Sequence, residues 1–179
     1  LLLFDLYFLP REPARKRRRF IYHLPFWVML AVGAAFFFRM IVHPEMYDRP
    51  WSVHIMTELR VFAAYIRLLI LPLGLNIDHD IMESRSLDWS VLAAGAFLAT
   101  VVGTAFLLRK KNKVLSFSLL WLLINLGPLM TLRLNDYMAE RWVYAASLGF
   151  ALAVSETMVL LTKKDLRAAA AAGAVILIM

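Results

Sequence analysis

The chain has no cysteine and few charged residues. Without a thiol, its 179 residues cannot form a disulfide framework, a zinc–thiolate site or a cysteine nucleophile. Charged side chains make up 18% of the residues and hydrophobic ones 61%, against about a quarter and about half in a typical soluble domain. The mean hydropathy is +0.67. This composition predicts an integral membrane protein.

Hydrophobic residues are collected in long segments. Residues 89–108 contain no charged side chain over 20 positions, about the length that a helix needs to cross a hydrocarbon core of roughly 30 Å. We therefore predict an all-α fold, a polytopic transmembrane helix bundle that forms a single domain over 1–179. Complete spans are predicted at 20–42, 89–108, 114–132 and 142–162, with a partial span at 168–179.

Both ends of the chain lie in apolar sequence. It begins at Leu1 in a segment that runs to Leu9, and it stops at Met179 within the last predicted span. The first segment has neither a basic start nor a small-residue cleavage site, so it does not resemble a signal peptide. We therefore expect an internal piece of a longer membrane protein, with a partial span at each end.

The basic residues predict how the spans are oriented. Three short loops, 11–19, 109–113 and 163–167, hold thirteen Lys and Arg against two acids, a net charge of +11. The segments 43–88 and 133–141 hold six Arg against nine acids, a net charge of −3. The positive-inside rule then places the first set in the cytoplasm and the second outside. Topology and lipid headgroups thus explain the overall charge of +7, and we predict no nucleic-acid partner.

One apolar segment within the external loop 43–88 is ambiguous. Residues 61–75 contain Arg67, Pro72 and Gly74 and are short for a span. If they crossed the membrane, every later loop would change sides, and the basic loop 109–113 would face outward. We therefore predict an interfacial or re-entrant helix over about 58–73.

Polar side chains suited to chemistry fall mostly in the predicted external segments. Asp78, His79 and Asp80 combine oxygen and imidazole ligands, as a divalent metal site would. Adjacent residues rarely point the same way and nothing completes the ligand set, so we predict a solvated turn and no metal. Glu140 and Arg141 stand where an external segment enters a span. They form either a phosphate site, with Glu140 orienting Arg141, or an interfacial arginine that reaches lipid headgroups.

Three sequence elements resemble a known family. Residues 139–150 follow the pattern A-E-R-x-x-Y-x-x-S-x-G-F, and residues 117–128 resemble the F-x-L-L-W-x-x-x-x-x-x-P span that precedes it. Residues 65–78 resemble an L-L-x-L-P-x-x-L-x-x-D element. Along the chain the first element is 65–78, the second 117–128 and the third 139–150. In that order, the three resemble the transmembrane and tetratricopeptide-repeat (TPR) O-mannosyltransferases and their bacterial relatives, which are polytopic glycosyltransferases of the GT-C class. The resemblance covers roughly residues 60–155.

The resemblance implies an enzyme that transfers a sugar from a polyprenyl-phosphate donor to a protein or glycan acceptor on the external face. Arg141 and Arg67 would bind the donor phosphate, with Glu140 orienting Arg141 and Tyr144 on the same helix face. Asp78 would assist the acceptor hydroxyl, while the main general base and a TPR domain are expected outside this sequence. No cofactor is implied beyond the lipid-linked sugar. The chain would lie in a bacterial inner membrane or in an endoplasmic reticulum membrane.

Two other functions remain open. Small residues, such as Gly33, Gly95 and those in 168–173, permit close helix approach. That suits a non-catalytic transmembrane subunit of a larger complex, with other membrane subunits as partners. A transporter is less favoured, because the spans contain few charges, Arg39 and Glu156, and no visible inverted repeat. The sequence gives no role for Glu156.

Overall fold

The structure is a computed structural model that describes residues 2–8, 13–41, 49–76, 78–131 and 136–164. The described chain is mostly helical, and it separates into two compact units, Leu1–Asp48 and Arg49–Met179. Within these described ranges, three helices are long and apolar enough to cross a membrane: Trp89–Leu108, Lys113–Thr131 and Glu140–Lys163. These three confirm membrane-length helices at the predicted spans 89–108, 114–132 and 142–162. The predicted partial span at 168–179 lies outside the described residues.

Helices α1 (Leu2–Phe8) and α2 (Pro13–Ile41) form the first unit. His23 Nε2 lies 2.8 Å from Asp5 Oδ2, and the two side chains are only 10% and 16% exposed. This contact between an imidazole and a carboxylate joins the two helices across the segment that connects them.

The predicted span at 20–42 corresponds to part of α2. The helix begins earlier, at Pro13, because a proline ring fits the first turn, where no N–H donor is needed. Its described apolar segment, Ile21–Phe36, is shorter than the three membrane-length helices of the second unit. A fourth complete span therefore stays a prediction.

The second unit contains the three membrane-length helices. Helix α4 covers Trp89–Leu108, α5 covers Lys113–Leu126 and continues as a 3-10 helix over Gly127–Thr131, and α6 covers Val143–Lys164 after a 3-10 turn at Glu140–Trp142. The change to 3-10 geometry after α5 coincides with a proline at position 128, which has no N–H to continue an α-helix.

Side-chain caps fix where α4 and α5 begin. Asp88 accepts a hydrogen bond from the Val91 N–H, and Asn112 accepts one from the Leu115 N–H, each at 2.9 Å. Such caps satisfy backbone donors that the first helical turn leaves without an intrahelical partner. The Asn112 amide also donates to Glu156 of α6 at 2.8 Å, which joins the start of α5 to α6. This contact gives Glu156 a structural role that the sequence did not reveal.

Helices α5 and α6 pack closely at Gly149. A Cβ atom at this position would lie 2.6 Å from the Ser118 carbonyl oxygen of α5, too near for any other residue without a shift of backbone. One turn away, Trp121 Nε1 donates to the Ala145 carbonyl at 2.7 Å. The glycine of the A-E-R-x-x-Y-x-x-S-x-G-F pattern therefore permits direct contact between the two helices.

Helix α3 precedes these three and covers Trp51–Ile70. The sequence predicted a helix over about 58–73, so the observed helix begins and ends earlier. It ends at Ile70 because a proline at position 72 disfavours helical geometry in the preceding residue, and Leu71 is extended with φ −128° and ψ 93°. Gly74, at φ +72°, then turns the chain in a conformation that favours glycine.

One face of α3 forms the core of the second unit. Val61, Phe62, Tyr65 and Leu68 recur at helical spacing, and none is more than 7% exposed. They pack with residues from the second half of α5, the 3-10 helix, the segment that leads into α6 and the first turn of α6: Leu122, Leu126, Leu129, Tyr137, Met138 and Ala146. Helix α3 thus lies against the ends of α5 and α6 that the sequence assigned to the external side.

A short antiparallel ladder completes the fold. Strand β1 (Asp78–His79) pairs with strand β2 (Met138–Ala139), with Asp78 opposite Ala139. The all-α prediction missed it because two-residue strands are too short to show the alternating pattern by which strands are recognised. The ladder joins the loop after α3 to the segment before α6.

Candidate functional site

The three sequence elements of the family resemblance meet where α3 ends, α5 ends and α6 begins. The Tyr65 hydroxyl donates to the Ala139 carbonyl at 3.2 Å and accepts from the Ala139 N–H at 3.0 Å. Burial raises the pKa of the Tyr65 phenol, so the hydroxyl stays protonated and can donate. The first residue of the A-E-R motif is therefore held by a tyrosine 74 positions earlier.

Glu140 fastens the loop after α3 to the start of α6. Its carboxylate accepts from the Asn76 N–H at 2.6 Å and lies 3.1 Å from His79 Nε2. We predicted that Glu140 would orient Arg141. The structure shows this carboxylate bonded to the Asn76 N–H and close to His79, and the orienting role stays a prediction.

Arg141 contacts a residue of the preceding loop. Its Nη2 donates to Asp136 Oδ2 at 3.2 Å, and its guanidinium carbon lies 5.2 Å from the centre of the Trp142 ring. The Arg141 side chain is 56% exposed, so solvent still reaches it. Its planar donors suit a phosphate group, and that role stays a prediction.

The other predicted site residues, Tyr144, Arg67 and Asp78, lie on three different elements of the fold. Tyr144 is 79% exposed near the start of α6. Arg67 is exposed on the last turn of α3. The backbone of Asp78 pairs with Ala139 in the ladder, which brings this position beside the A-E-R motif.

An open apolar groove of about 200 Å³ runs beside Glu140, between the end of α3 and the start of α6. Its lining consists of Leu68, Leu69, Leu75, Glu140, Val143, Tyr144 and Ser147. Of the predicted site residues, Glu140 and Tyr144 share this groove, whereas Arg67 and Arg141 do not line it. Two residues of the predicted donor site, Glu140 and Tyr144, therefore lie beside apolar side chains in this groove.

A larger open cleft of about 800 Å³ lies on the ladder side of Glu140 and Arg141. This polar cleft is lined by Arg49, His79, Asp80, Ile81, Met82, Glu83, Arg85, Asp136 and Tyr137. Two of its lining residues are the partners already described, His79 for Glu140 and Asp136 for Arg141. Among the described residues, no three His, Asp or Glu side chains are grouped so that they could hold a metal ion.

Glu83 organises the polar cleft. Its Oε1 accepts from the Tyr137 hydroxyl at 2.9 Å and lies 3.4 Å from Arg49 Nε, while its Oε2 lies 3.3 Å from Arg85 Nη2. The Tyr137 hydrogen bond, together with Arg85 and Arg49, holds the pKa of the Glu83 carboxyl below its usual value. The Arg49 guanidinium carbon also lies 3.9 Å from the centre of the Tyr137 ring. One ionised carboxylate thus fixes two guanidiniums and a phenol.

A buried carboxyl lies behind this cleft, on α3. Glu58 is 4% exposed, and its Oε1 is 3.9 Å from His54 Nδ1, which is 3.4 Å from Arg49 Nη1. Burial raises the pKa of the Glu58 carboxyl to about 8, although Arg49 lowers it in part. Glu58 was not among the site residues predicted from the sequence. Its spacing from His54, four residues before, and Phe62, four residues after, marked one helix face that continues into the core.

Comparison with known proteins gives no neighbour for this chain. No family model, no curated protein and no solved structure matches it. The interpretation of the site therefore depends on the three sequence elements, the contacts between them and the two cavities beside Glu140 and Arg141.

Proposed function

We propose that this chain is part of a membrane glycosyltransferase of the GT-C type, which transfers a sugar from a polyprenyl-phosphate donor to a protein or glycan acceptor on the external face. The observation that carries the proposal is the convergence of the three family-like elements. Tyr65 of the first contacts Ala139 of the third, and Trp121 of the second donates to Ala145 of the third. Three elements with unrelated roles would not need to contact one another in this way.

The proposed membrane arrangement is a polytopic bundle with the basic loops in the cytoplasm and α3 at the outer interface. It is supported by the three membrane-length helices, by the packing of α3 on the ends of α5 and α6, and by the excess of acids in the loop 71–88 that follows α3. The membrane is a bacterial inner membrane or that of the endoplasmic reticulum.

The proposed reaction is a displacement at the anomeric carbon of the donor sugar. The acceptor hydroxyl oxygen forms a bond to C1, and the bond between C1 and the phosphate oxygen breaks. The electron pair of that bond goes to the departing polyprenyl phosphate, and the hydroxyl proton goes to a carboxylate. Arg141 stabilises the charge that develops on the phosphate, which is where a fixed guanidinium contributes most. Asp78 assists the acceptor hydroxyl, with the main base in another part of the protein.

The test is a transfer assay on the full-length protein in membranes, with a labelled polyprenyl-phosphate sugar. Arg141→Ala is expected to lower the rate about 100-fold, the usual scale for loss of one group that stabilises developing charge. Arg109→Ala is the matched control, since Arg109 is exposed in the turn between α4 and α5 and should leave the rate unchanged.

Equal rates for wild type and Arg141→Ala would remove Arg141 from the donor site. Absence of transfer by wild type, from protein that is folded and bilayer-inserted, would contradict the enzyme proposal. The remaining alternative would then be a non-catalytic transmembrane subunit, whose partner membrane proteins would be sought by co-purification.

A further inference from the structure

We propose that the polar cleft is the binding site for the sugar moiety of the donor, and that it continues the apolar groove through Arg141. This inference rests on the proposed function and names residues that the family resemblance did not supply. It is carried by the contacts that link the two cavities and by the balance of charge within the larger one.

Glu140 and Arg141 each contact a residue that lines the polar cleft. Glu140 lines the apolar groove and also holds His79, which lines the polar cleft. Arg141 holds Asp136, another residue of the cleft wall. Through these contacts the apolar groove, the half-exposed Arg141 guanidinium and the polar cleft are neighbours. A lipid-linked sugar has three corresponding parts: an isoprenoid chain, a phosphate and a hexose.

The charges of the polar cleft favour a neutral ligand. Among the described residues that line it, Arg49 and Arg85 are both paired with Glu83, and Asp80 and Asp136 add two more carboxylates. A phosphate in this cleft would meet more carboxylates than guanidiniums, and such like-charge contacts are unfavourable. The phosphate is therefore expected at Arg141, outside the cleft.

The chemistry of the lining matches a polyhydroxylated ligand. A sugar hydroxyl donates one hydrogen bond and accepts others, so it suits a wall where guanidinium donors and carboxylate acceptors alternate. The volume of about 800 Å³ is within the range of roughly 300–1,000 Å³ that is common for small-molecule sites. Because Glu83 fixes Arg49, Arg85 and Tyr137 before any ligand arrives, the donors are already oriented.

The test compares two lipids on the purified full-length protein in lipid nanodiscs. One is a polyprenyl phosphate hexose, in mannosyl and glucosyl forms, and the other is polyprenyl methyl phosphate, a diester of equal charge without a sugar. The ratio of their dissociation constants reports what the hexose contributes. For wild type, the sugar-bearing lipid is expected to bind at least ten-fold more tightly.

Glu83→Ala is expected to bring that ratio close to one while the methyl ester still binds as to wild type, which also shows that the variant is folded. Ser86→Ala, an exposed neighbour outside the cleft, is the control and should keep the wild-type ratio. If Glu83→Ala binds neither lipid, Asp80→Ala supplies the same comparison, because Asp80 is an exposed member of the cleft wall.

The outcomes separate this inference from the proposed function. A wild-type ratio near one, or an unchanged ratio in both cleft variants, overturns the sugar site even when transfer activity is present. A ratio that depends on Glu83, in a protein without transfer activity, supports the sugar site and contradicts the transferase. Folded wild type that binds neither lipid contradicts both.

Discussion

Glu58 is a carboxyl group in a place that favours its protonated form. Burial on the inner face of α3 raises its pKa from 4.5 to about 8, and Arg49 offsets only part of that effect. In the unfolded chain the carboxyl ionises near 4.5, so ionisation favours the unfolded state over the interval between the two values. The contribution of Glu58 to the free energy of unfolding is therefore greatest below pH 4.5 and is lost as the pH rises through about 8.

Glu58→Gln is expected to remove this pH dependence. A neutral amide of the same shape has no ionisation cost, so the variant should be more stable than wild type at pH 9 by an amount on the order of 4 kcal/mol. At pH 5 the two should unfold at nearly the same temperature. Thermal unfolding of the full-length protein in nanodiscs, followed by tryptophan fluorescence at both values, measures the difference.

Glu83→Gln provides a contrast of opposite sign. The pKa of Glu83 is lowered, chiefly by the Tyr137 hydrogen bond, so its stabilising effect is present above the unfolded value and is lost as the pH falls. This variant should be less stable than wild type at pH 9, with the gap narrowing towards pH 4. If both variants were less stable than wild type at pH 9, Glu58 would not be buried as the structure shows.

At the scale of single residues, the sequence singled out Glu140 and Arg141 as candidates but did not predict their contacts. Glu140 and Arg141 could be identified because an ionisable pair where a span begins is unusual. Their partners, His79 and Asp136, come from loops whose relative positions no local pattern specifies. Glu83 contacts Arg49, Arg85 and Tyr137, and no local sequence pattern predicts that these groups meet.

Among the structural elements, the contact between α5 and α6 depends most on one residue. Gly149→Ala would place a methyl group 2.6 Å from the Ser118 carbonyl oxygen, so the helices would have to separate. The expected loss of stability is about 1–3 kcal/mol, the range for an overpacked interface. Thermal unfolding of the full-length protein measures it.

Gly103→Ala is the matched control within α4. A Cβ atom there has nothing within 4 Å, so the substitution gains only helix propensity, about 0.5–1 kcal/mol in favour of folding. If both alanine substitutions lowered the stability, these helices would be generally intolerant of substitution. The specific contact at Gly149 would then not explain its loss of stability.

The helices themselves were largely predictable, and the reasons differ between them. Helix α4 has the predicted bounds because an uncharged run is bracketed by Asp88, which caps it, and by the basic turn that begins at Arg109. Helix α3 was placed too late because the prediction followed the apolar run alone. Its first half carries His54 and Glu58, whose polarity concealed a buried helical face.

The loop after α3 is expected to depend on Glu140. Glu140→Ala removes the acceptor of the Asn76 N–H and the partner of His79, so the ladder loses its support beside α6. Hydrogen exchange measured by mass spectrometry should show faster exchange over 76–79 and 138–140, with α4 unchanged. Glu140→Gln should restore most of the protection, because its amide oxygen can still accept from Asn76. Unaltered exchange in the alanine variant would show that the ladder is held without Glu140.

For the whole molecule, the function depends on which side of the membrane the site faces. The polar cleft, the apolar groove and Arg141 lie in or next to segments 43–88 and 133–141, which together hold nine acidic and six basic residues, whereas the turn after α4 contains four basic residues in 109–113. Because basic loops are retained in the cytoplasm, the site is expected outside, where a lipid-linked sugar donor would be used after its carrier has crossed the membrane.

The absence of cysteine from these 179 residues makes that orientation directly measurable. Single cysteines are introduced as Ser86→Cys, in the exposed loop before α4, and Lys111→Cys, in the exposed turn after it, with any cysteine elsewhere in the full-length protein replaced. A membrane-impermeant maleimide applied to intact cells or sealed vesicles of known orientation should label Ser86→Cys at once and Lys111→Cys only after permeabilisation. Since α4 is long enough to cross the bilayer, the two positions must differ if it does. The opposite pattern would place the cleft in the cytoplasm and contradict transfer on the external face, and equal labelling would mean that α4 does not cross.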